Sequence, residues 1–338
     1  MKHMALVIPI FIPHRGCPHQ CLFCNQKSIT GQTDGGDIEL EIAKTIEEWL
    51  MRSPGHSEVQ VAFYGGSFSC LVAEEQIRML LAVQPFMATA RVTSIRLSTR
   101  PDCIDHDVCT LLKEFGVKTV ELGVQSLDDL VLEKSQRGHT AQQSKEALRL
   151  LKEAGMQVGV QLMVGLPKEN TVSFLRGVNE VIRLQPGFVR MYPVVVVKNS
   201  ALEALFYQGE YQPLSLNKAI ALTAKGYLRF LQANVPVVRM GLQPSESLTD
   251  TIIAGPHHPA FGELVKSRIW FTRLRKKLVT LRPDEKMTIT VSHRDLSMVK
   301  GMKKNNIKRM TELGFGGRFS IAIDKSMERG SVRYALCQ

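Results

Sequence analysis

The sequence Cys-Pro-His-Gln-Cys-Leu-Phe-Cys occupies residues 17–24 and places three cysteines at the spacing C-x3-C-x2-C. Thiolates are soft ligands that select iron–sulfur clusters, zinc or copper(I). Three cysteines in one short loop can bind three irons of a four-iron cluster, which leaves the fourth iron open for another ligand. The spacing alone also allows a zinc site completed by His14 or His19, or a redox pair of Cys21 and Cys24. This loop is therefore predicted to be the centre of the protein's chemistry.

The same loop resembles the signature of the radical S-adenosylmethionine (SAM) enzymes, in which an aromatic residue, here Phe23, stands before the last cysteine. The resemblance implies that Cys17, Cys21 and Cys24 hold a 4Fe–4S cluster and are catalytic. It also implies that the open iron binds the amino and carboxylate groups of SAM. An electron from the cluster then cleaves SAM to methionine and a 5′-deoxyadenosyl radical.

The composition is that of an ordinary globular protein. The chain has 338 residues, of which 44% are hydrophobic and 22% charged, which suits one large domain and a smaller one. No run of 18 or more apolar residues and no signal-peptide cleavage pattern occur, so no membrane association is predicted. Seven cysteines, three of them clustered, argue against a secreted disulfide framework and predict a cytoplasmic protein. The remaining cysteines are predicted to be packing residues or surface thiols: Cys70, Cys103, Cys109 and Cys337.

The positive charge is concentrated in the last quarter of the chain. Residues 264–338 hold 18 Lys/Arg and 6 Asp/Glu, a net charge of +12, whereas the rest of the chain holds 25 and 26, a net charge of −1. A basic lobe beside a neutral body is typical of proteins that bind polyanions. The alternative is a solvated basic surface that keeps the protein soluble.

Short apolar runs alternate with amphipathic runs, which predicts strands that alternate with helices. The predicted strands are Val7–Ile12, Val59–Tyr64, Ser94–Thr99, Thr119–Gln125, Gln157–Val164 and Phe188–Val197. The predicted helices are Glu39–Arg52, Ala73–Val83, Asp105–Phe115, Ala141–Ala154, Val172–Leu184 and Leu216–Ala233. Six strand–helix units predict an α/β fold with parallel strands. The radical SAM resemblance implies that residues 1–235 form a partial (β/α)6 barrel.

Residues 236–338, which follow the barrel in the sequence, are predicted to form a small basic α+β appendage. Its predicted helices cover about residues 261–277 and 295–313. Its predicted strands are Met287–Val291, Arg318–Ile323 and Val332–Leu336.

Polar and glycine residues follow the predicted strands at the mouth of the barrel, where α/β barrels place functional groups. Gly65, Gly66 and Ser67 follow the second strand, and two glycines allow a ligand to approach the backbone closely. The resemblance implies that these glycines contact the methionyl amino group of SAM. Thr99 and Arg100 end the third strand, and the resemblance implies that they contact the ribose and carboxylate of SAM.

The later strands add further candidates. Alternation along the fourth strand puts Glu121 and Gln125 on one face, where an inward acid and amide require a ligand or a partner. Arg137 either faces an anion or is a surface cation. Gly165 follows the fifth strand, and the resemblance implies that this edge of the sheet lies against the adenine of SAM. Tyr192, on the sixth strand, either reaches the cavity or packs in the barrel.

Four stretches narrow the resemblance to the radical SAM half of the Elongator catalytic subunit, namely residues 13–19, 98–102, 120–126 and 192–202. That enzyme group installs a carboxymethyl-type substituent at carbon five of the wobble uridine of tRNA. The resemblance covers roughly residues 5–235 and implies tRNA base modification, with an electron donor such as flavodoxin or ferredoxin. The acetyltransferase domain and N-terminal tRNA-binding extension of that group are not expected in this chain, which leaves the use of acetyl-CoA open.

Two other functions are compatible with the sequence. One is a radical SAM reaction on a small molecule such as a tetrapyrrole, because oxygen-independent coproporphyrinogen oxidases share the stretches at residues 123–126 and 165–167. The other is a non-enzymatic, zinc-stabilised RNA-binding protein. If tRNA is the partner, the basic extension is expected to bind it in a salt-dependent way. The residues expected to carry that binding are Lys303, Lys304, Lys308 and Arg309.

Overall fold

The main feature of the fold is a sheet of seven parallel strands. The computed structural model describes residues 5–12, 16–24, 37–243 and 246–337. The strands of this part are β1 (Leu6–Phe11), β2 (Val59–Tyr64), β3 (Ser94–Thr99), β4 (Val117–Gln125), β5 (Gln157–Val164), β6 (Phe188–Pro193), β7 (Val196–Val197), β8 (Val237–Met240) and β9 (Ile252–Ala254). The sheet has the order β1–β2–β3–β4–β5–β6–β8, and all its neighbours are parallel. Since β1 and β8 are its two edges, the prediction of an α/β fold with a partial barrel is confirmed.

Helices alternate with these strands, and the longer ones pack against the core on the outer face of the sheet. They are α1 (Ile38–Arg52), α2 (Ala73–Leu81), α3 (Gln84–Ala88), α4 (His106–Glu114), α5 (Asp129–Lys134), α6 (Ala141–Glu153), α7 (Thr171–Leu184), α8 (Ala201–Tyr207) and α9 (Leu216–Gln232). Thr140 and Asn170 begin α6 and α7 with capping boxes, which satisfy free backbone N–H groups. Leu151 and Val178 of these helices are buried in the same core as Val160 of β5. In the described segments, no helix combines the length and apolar character needed to cross a bilayer.

The sheet differs from the predicted one at its last strands. β6 ends at Pro193, which lacks the N–H that would continue the ladder, and Val196–Val197 instead pairs antiparallel with β9. The sequence pattern does not predict β8, because this strand has only four residues and includes the polar Arg239. The main sheet therefore continues past residue 235, while the division into 1–235 and 236–338 stays a prediction.

The segment after β8 forms a small α+β unit with its own core. It contains α10 (Glu246–Thr251), α11 (Phe261–Leu278), α12 (Leu296–Lys300), α13 (Asn305–Met310), β10 (Lys286–Ser292), β11 (Phe319–Asp324) and β12 (Val332–Cys337). The strands form a sheet in the order β11–β10–β12, against which Trp270 and Met310 are buried. The single helix predicted for residues 295–313 is wrong. Gly301, with φ of 73°, turns the chain between α12 and α13.

Candidate active site

One cavity of about 710 Å³ lies along the inner face of the main sheet and at the carboxyl ends of its strands. This is the end of the strands at which α/β barrels hold their ligands. The structure brings all but one of the predicted site residues to this cavity. Those that line it are Cys17, Cys21, Phe23, Cys24, Gly65, Gly66, Ser67, Thr99, Arg100 and Gln125.

Gly165 is the exception, because it is not among the residues that line the cavity. Its φ of 94° is a backbone conformation that favours glycine. Its N–H donates to Glu169 Oε2 at 2.7 Å, and its carbonyl accepts a hydrogen bond from the Tyr211 hydroxyl at 2.7 Å. These contacts describe a turn whose polar groups are satisfied inside the protein. The assignment of Gly165 to the adenine of SAM stays a prediction.

The glycine pair after β2 lies against the cysteine loop. Gly65 has φ of 90°, and a Cβ atom there would stand 3.2 Å from the carbonyl oxygen of Ile12. Glycine is thus required by conformation and by the close approach of the neighbouring backbone. Ser67, which follows the pair, has its Oγ atom 3.1 Å from Cys17 Sγ. The loops after β1 and β2 therefore meet beside the first cysteine.

Two buried guanidinium groups face the second cysteine. Arg137 Nη1 lies 3.3 Å from Cys21 Sγ, and Arg137 Nη2 donates to the carbonyl of Gly123 at 2.7 Å. Arg100 Nη1 lies 4.0 Å from the same sulfur. Burial first, and then the charge of Arg137, lower the pKa of His139 to about 4, so this imidazole is neutral at pH 7. The positive charge beside Cys21 therefore comes from the two arginines, and it complements a metal-binding thiolate.

Arg100 is almost fully enclosed, with 1% of its surface exposed. Its Nε and Nη2 atoms form a fork on the Asp102 carboxylate, each at 2.9 Å, and Nη2 also donates to the carbonyl of Arg137 at 2.6 Å. The resemblance implied that Arg100 contacts the carboxylate of SAM. In the structure, that fork is occupied by Asp102, and Arg100 links the loop after β3 to the segment that carries Arg137.

A disulfide joins the loops after β2 and β3. Cys70 and Cys103 are bonded, with their Cα atoms 5.2 Å apart, and each ends a short 3₁₀ turn. Beside it, Ser69 Oγ and Thr99 Oγ1 are 2.6 Å apart. The prediction that Cys70 and Cys103 are packing residues or surface thiols is therefore wrong. Sequence spacing gave no indication of the bond, because the two cysteines meet only after β2 and β3 pair.

Gln125 ends β4 in a strained conformation. It has φ of 65° although it is not a glycine, and its side chain is buried. The register between β4 and β5 shifts between Leu122 and Gln125, and Gln161 donates its amide to Gln125 Oε1 at 3.1 Å. Backbone strain of this kind clusters at ligand sites. Gln125 is among the residues that line the cavity, and its contact with SAM stays a prediction.

An ion network on the inner face was only partly predicted. Glu121 Oε1 accepts hydrogen bonds from Arg96 Nη2 at 2.7 Å, Arg190 Nη2 at 3.0 Å and the Tyr64 hydroxyl at 3.3 Å. Burial first, and then the charge of Glu121, raise the pKa of Tyr64 to about 12. Sequence reasoning found Glu121 but missed Arg96 and Arg190. The signal was available, because Arg96 shares a strand face with Arg100, and Arg190 shares one with Tyr192.

The geometry also bears on the alternative of a single zinc ion. His19 Nε2 lies 3.9 Å from Asp102 Oδ2, and His14 is outside the described residues. Within the described part of the chain, no group of three His, Cys, Asp or Glu side chains is placed to hold one metal ion. A four-iron cluster instead needs its cysteines to face a common space, since each thiolate binds a different iron. The three cysteines of the loop fit this requirement because they line one cavity.

Two family models match the chain. Residues 11–176 match the radical SAM superfamily, and residues 186–270 match the radical SAM C-terminal domain. The first range contains the cysteine loop, the glycine pair, Arg100 and Gln125. The second contains Arg190 and Arg239 of the inner face.

Curated proteins and a solved structure are also similar to this chain. An uncharacterized protein of Methanocaldococcus jannaschii is 27% identical over 75% of this chain and 80% of its own length. A tRNA uridine(34) acetyltransferase of the same organism is 27% identical over 77% of this chain and 54% of its own length. The chain therefore spans about half of that second relative. The structure of Elp3 from Methanocaldococcus infernus, with its N-terminus deleted, matches with a TM-score of 0.60 at 22% identity, over 81% of this chain and 63% of that one.

Proposed function

Because this chain belongs to the radical SAM superfamily of enzymes, we propose that Cys17, Cys21 and Cys24 hold a 4Fe–4S cluster at which SAM is cleaved reductively. The observation that carries the proposal is that one cavity is lined by all three cysteines, the Gly65–Gly66 pair and Gln125. When bound, the cluster supplies the electron that divides SAM into methionine and a 5′-deoxyadenosyl radical. The residues of the chain contribute binding, orientation and shielding.

Each part of the cavity wall has a role in this proposal. Gly65 lets the amino acid end of SAM approach the backbone, and Arg137 and Arg100 place positive charge beside Cys21. The Thr99 hydroxyl is engaged by Ser69, so the neighbouring Ser98, which also lines the cavity, is the better partner for the ribose. Phe23 supplies an apolar wall next to the last cysteine. Such walls exclude water from a reactive intermediate.

We further propose that the substrate is a base of tRNA. The support is that relatives of this chain are named tRNA uridine(34) acetyltransferases, although the chain spans only about half of their length. The excess of basic residues in positions 264–338 suits an RNA partner. A flavodoxin or ferredoxin as electron donor, and any use of acetyl-CoA, stay predictions from the resemblance.

Reversing the charge of the exposed lysines in the basic extension is expected to weaken tRNA binding. Lys303, Lys304 and Lys308 are exposed, whereas Arg309 packs its guanidinium over the Phe271 ring at 4.0 Å and is better left unchanged. Replacing the three lysines by glutamate removes three potential phosphate contacts and adds repulsion. We expect the affinity for bulk tRNA to fall by at least about tenfold at moderate salt, with a shallower salt dependence. Filter binding across a salt series measures both.

The matched control for this prediction replaces three exposed lysines of the barrel, Lys44, Lys113 and Lys118, by glutamate. This control variant has the same change in net charge as the first variant, but the change lies on the barrel and not on the basic extension. Equal losses of affinity in the two triple variants would show that binding depends on net charge rather than on the extension.

The formation of 5′-deoxyadenosine tests the proposed function. The chain is reconstituted anaerobically with iron and sulfide, then mixed with SAM and dithionite, either alone, with tRNA or with coproporphyrinogen. We expect 5′-deoxyadenosine, formed faster with tRNA. Stimulation by coproporphyrinogen instead of tRNA would support the small-molecule alternative. Protein that binds one zinc ion, takes up no sulfide and yields no product would contradict the proposal and support the zinc-stabilised RNA-binding protein.

A further inference from the structure

We propose that the inner end of the cavity, at Arg96, Arg190 and Arg239, is an anion subsite for a carboxylate or phosphate group of a small ligand other than SAM. The interpretation that this ligand is the molecule that reacts with the radical, or a second substrate, rests on the proposed function. The existence of the subsite rests on charge and geometry alone.

The subsite is separated from the cysteines along the strands. Arg96 is in β3, and Arg100 directly follows the last residue of that strand, four positions after Arg96. At about 3.3 Å per residue, Arg96 is about 13 Å from Arg100 toward the start of the strand. The same spacing separates Glu121 from Gln125 on β4. The arginines at the cysteine loop and those at the inner end are therefore two distinct groups.

The inner end holds more positive than negative charge. Of the described residues that line the cavity, Glu121 is the carboxylate, and it is shared between Arg96 and Arg190. Arg190 and Arg239 are register partners on the neighbouring parallel strands β6 and β8. Like charges placed side by side on one face of a sheet repel each other. One carboxylate for three guanidinium groups leaves a local charge of +2.

Contacts inside the protein use part of the hydrogen-bonding capacity of these arginines, since Arg96 Nη1 donates to Gln60 Oε1 at 3.2 Å and Arg190 Nη1 donates to the Tyr192 hydroxyl at 3.3 Å. Arg96 Nε is buried and has no partner among the described residues. Arg239 donates Nε to the carbonyl of Gly241 at 3.3 Å, a contact that brings no negative charge. A guanidinium group binds carboxylate and phosphate through paired N–H donors in a fixed plane. A ligand anion beside Arg239 would supply the missing negative charge and acceptors for the remaining N–H groups of its guanidinium.

The test measures binding of inorganic phosphate and of acetate to the cluster-loaded chain by calorimetry, with and without saturating SAM. We expect at least one of the two anions to bind while SAM is bound, and the tighter one identifies the anionic group. Arg239→Gln, at a half-exposed position, and Arg96→Gln should each weaken binding at least about tenfold. Glu121→Gln should strengthen it, because the carboxylate that competes with the ligand is removed.

Arg78→Gln is the matched control, since Arg78 lies in an exposed ion pair with Glu39 on the outer helices. Failure of both anions to bind, equal weakening by Arg78→Gln and Arg239→Gln, or displacement of the anion by SAM would each overturn the subsite. If Arg96→Gln or Glu121→Gln does not fold, Arg239→Gln alone still decides the outcome. The formation of 5′-deoxyadenosine is measured separately. If no 5′-deoxyadenosine forms although the anion still binds, the proposed function is contradicted and the anion subsite is not.

Discussion

Replacing Cys17, Cys21 or Cys24 by alanine, one at a time, is expected to abolish both cluster binding and 5′-deoxyadenosine formation. Each substitution removes the thiolate of one iron, and no other cysteine of the described residues lines the cavity. Removing a residue that hydrogen-bonds to a metal ligand lowers metal affinity or activity by about 10–100-fold. Removing a ligand itself should therefore lower them by more than about 100-fold. Iron and sulfide content, followed by product formation, measure the two effects.

Cys337→Ser and Cys109→Ala are the matched controls for the cysteine loop. Cys337 is exposed on β12, and Cys109 is a residue of α4 whose side chain is buried in the core. Both variants should retain the iron, the sulfide and the activity of the parent chain. An alanine variant of the loop that keeps its cluster and its activity would contradict the assignment of that cysteine as a ligand.

Arg100→Met is expected to lower the free energy of unfolding by about 3–5 kcal/mol, the usual cost of removing one partner from a buried ion pair. Arg100 is the most enclosed charged residue among those described, and its loss leaves the largely buried Asp102 carboxylate without its fork. It also removes the donor to the Arg137 carbonyl, which helps to place Arg137 beside Cys21. Denaturant unfolding of the cluster-free chain measures the stability, and iron content after reconstitution measures the effect on the cysteine loop.

Arg78→Met serves as the comparison, because Arg78 also forms a two-point contact with a carboxylate, that of Glu39, but at the surface. Exposed ion pairs contribute little to stability, so this variant should unfold close to the parent chain. If Arg100→Met were no less stable than Arg78→Met, the enclosed Arg100–Asp102 pair would have no special role in the site.

The local part of the site could be predicted from the sequence. Cysteine spacing and the glycine pair are features of short segments, and the bounds of three strands were predicted without error: Val59–Tyr64, Ser94–Thr99 and Gln157–Val164. Each of these strands is short and has apolar residues at alternate positions, a pattern that identifies a strand. β8 was missed because it has only four residues at a sheet edge, none of them fully buried, and they carry no such pattern.

The non-local part could not be predicted. Glu121 meets Arg96 and Arg190 across sequence separations of 25 and 69 residues. The residues next to each of these three side chains in the sequence do not indicate which partner it will have. The fork of Arg100 was assigned to SAM because a ligand contact was implied by resemblance, whereas Asp102, two residues away, already satisfies it. Gly165 carried the right local signal, a tight turn after a strand, but its polar groups bind Glu169 and Tyr211.

The Cys70–Cys103 bond also has a consequence for motion. It closes a covalent ring that spans β3 and includes the ends of both loops beside the glycine pair and Arg100. Within that ring, the two loops cannot swing apart independently, and the Ser69–Thr99 contact further limits sliding between them. This side of the cavity therefore behaves as a fixed wall. Any movement that separates these two loops from the rest of the cavity wall must therefore carry both of them together.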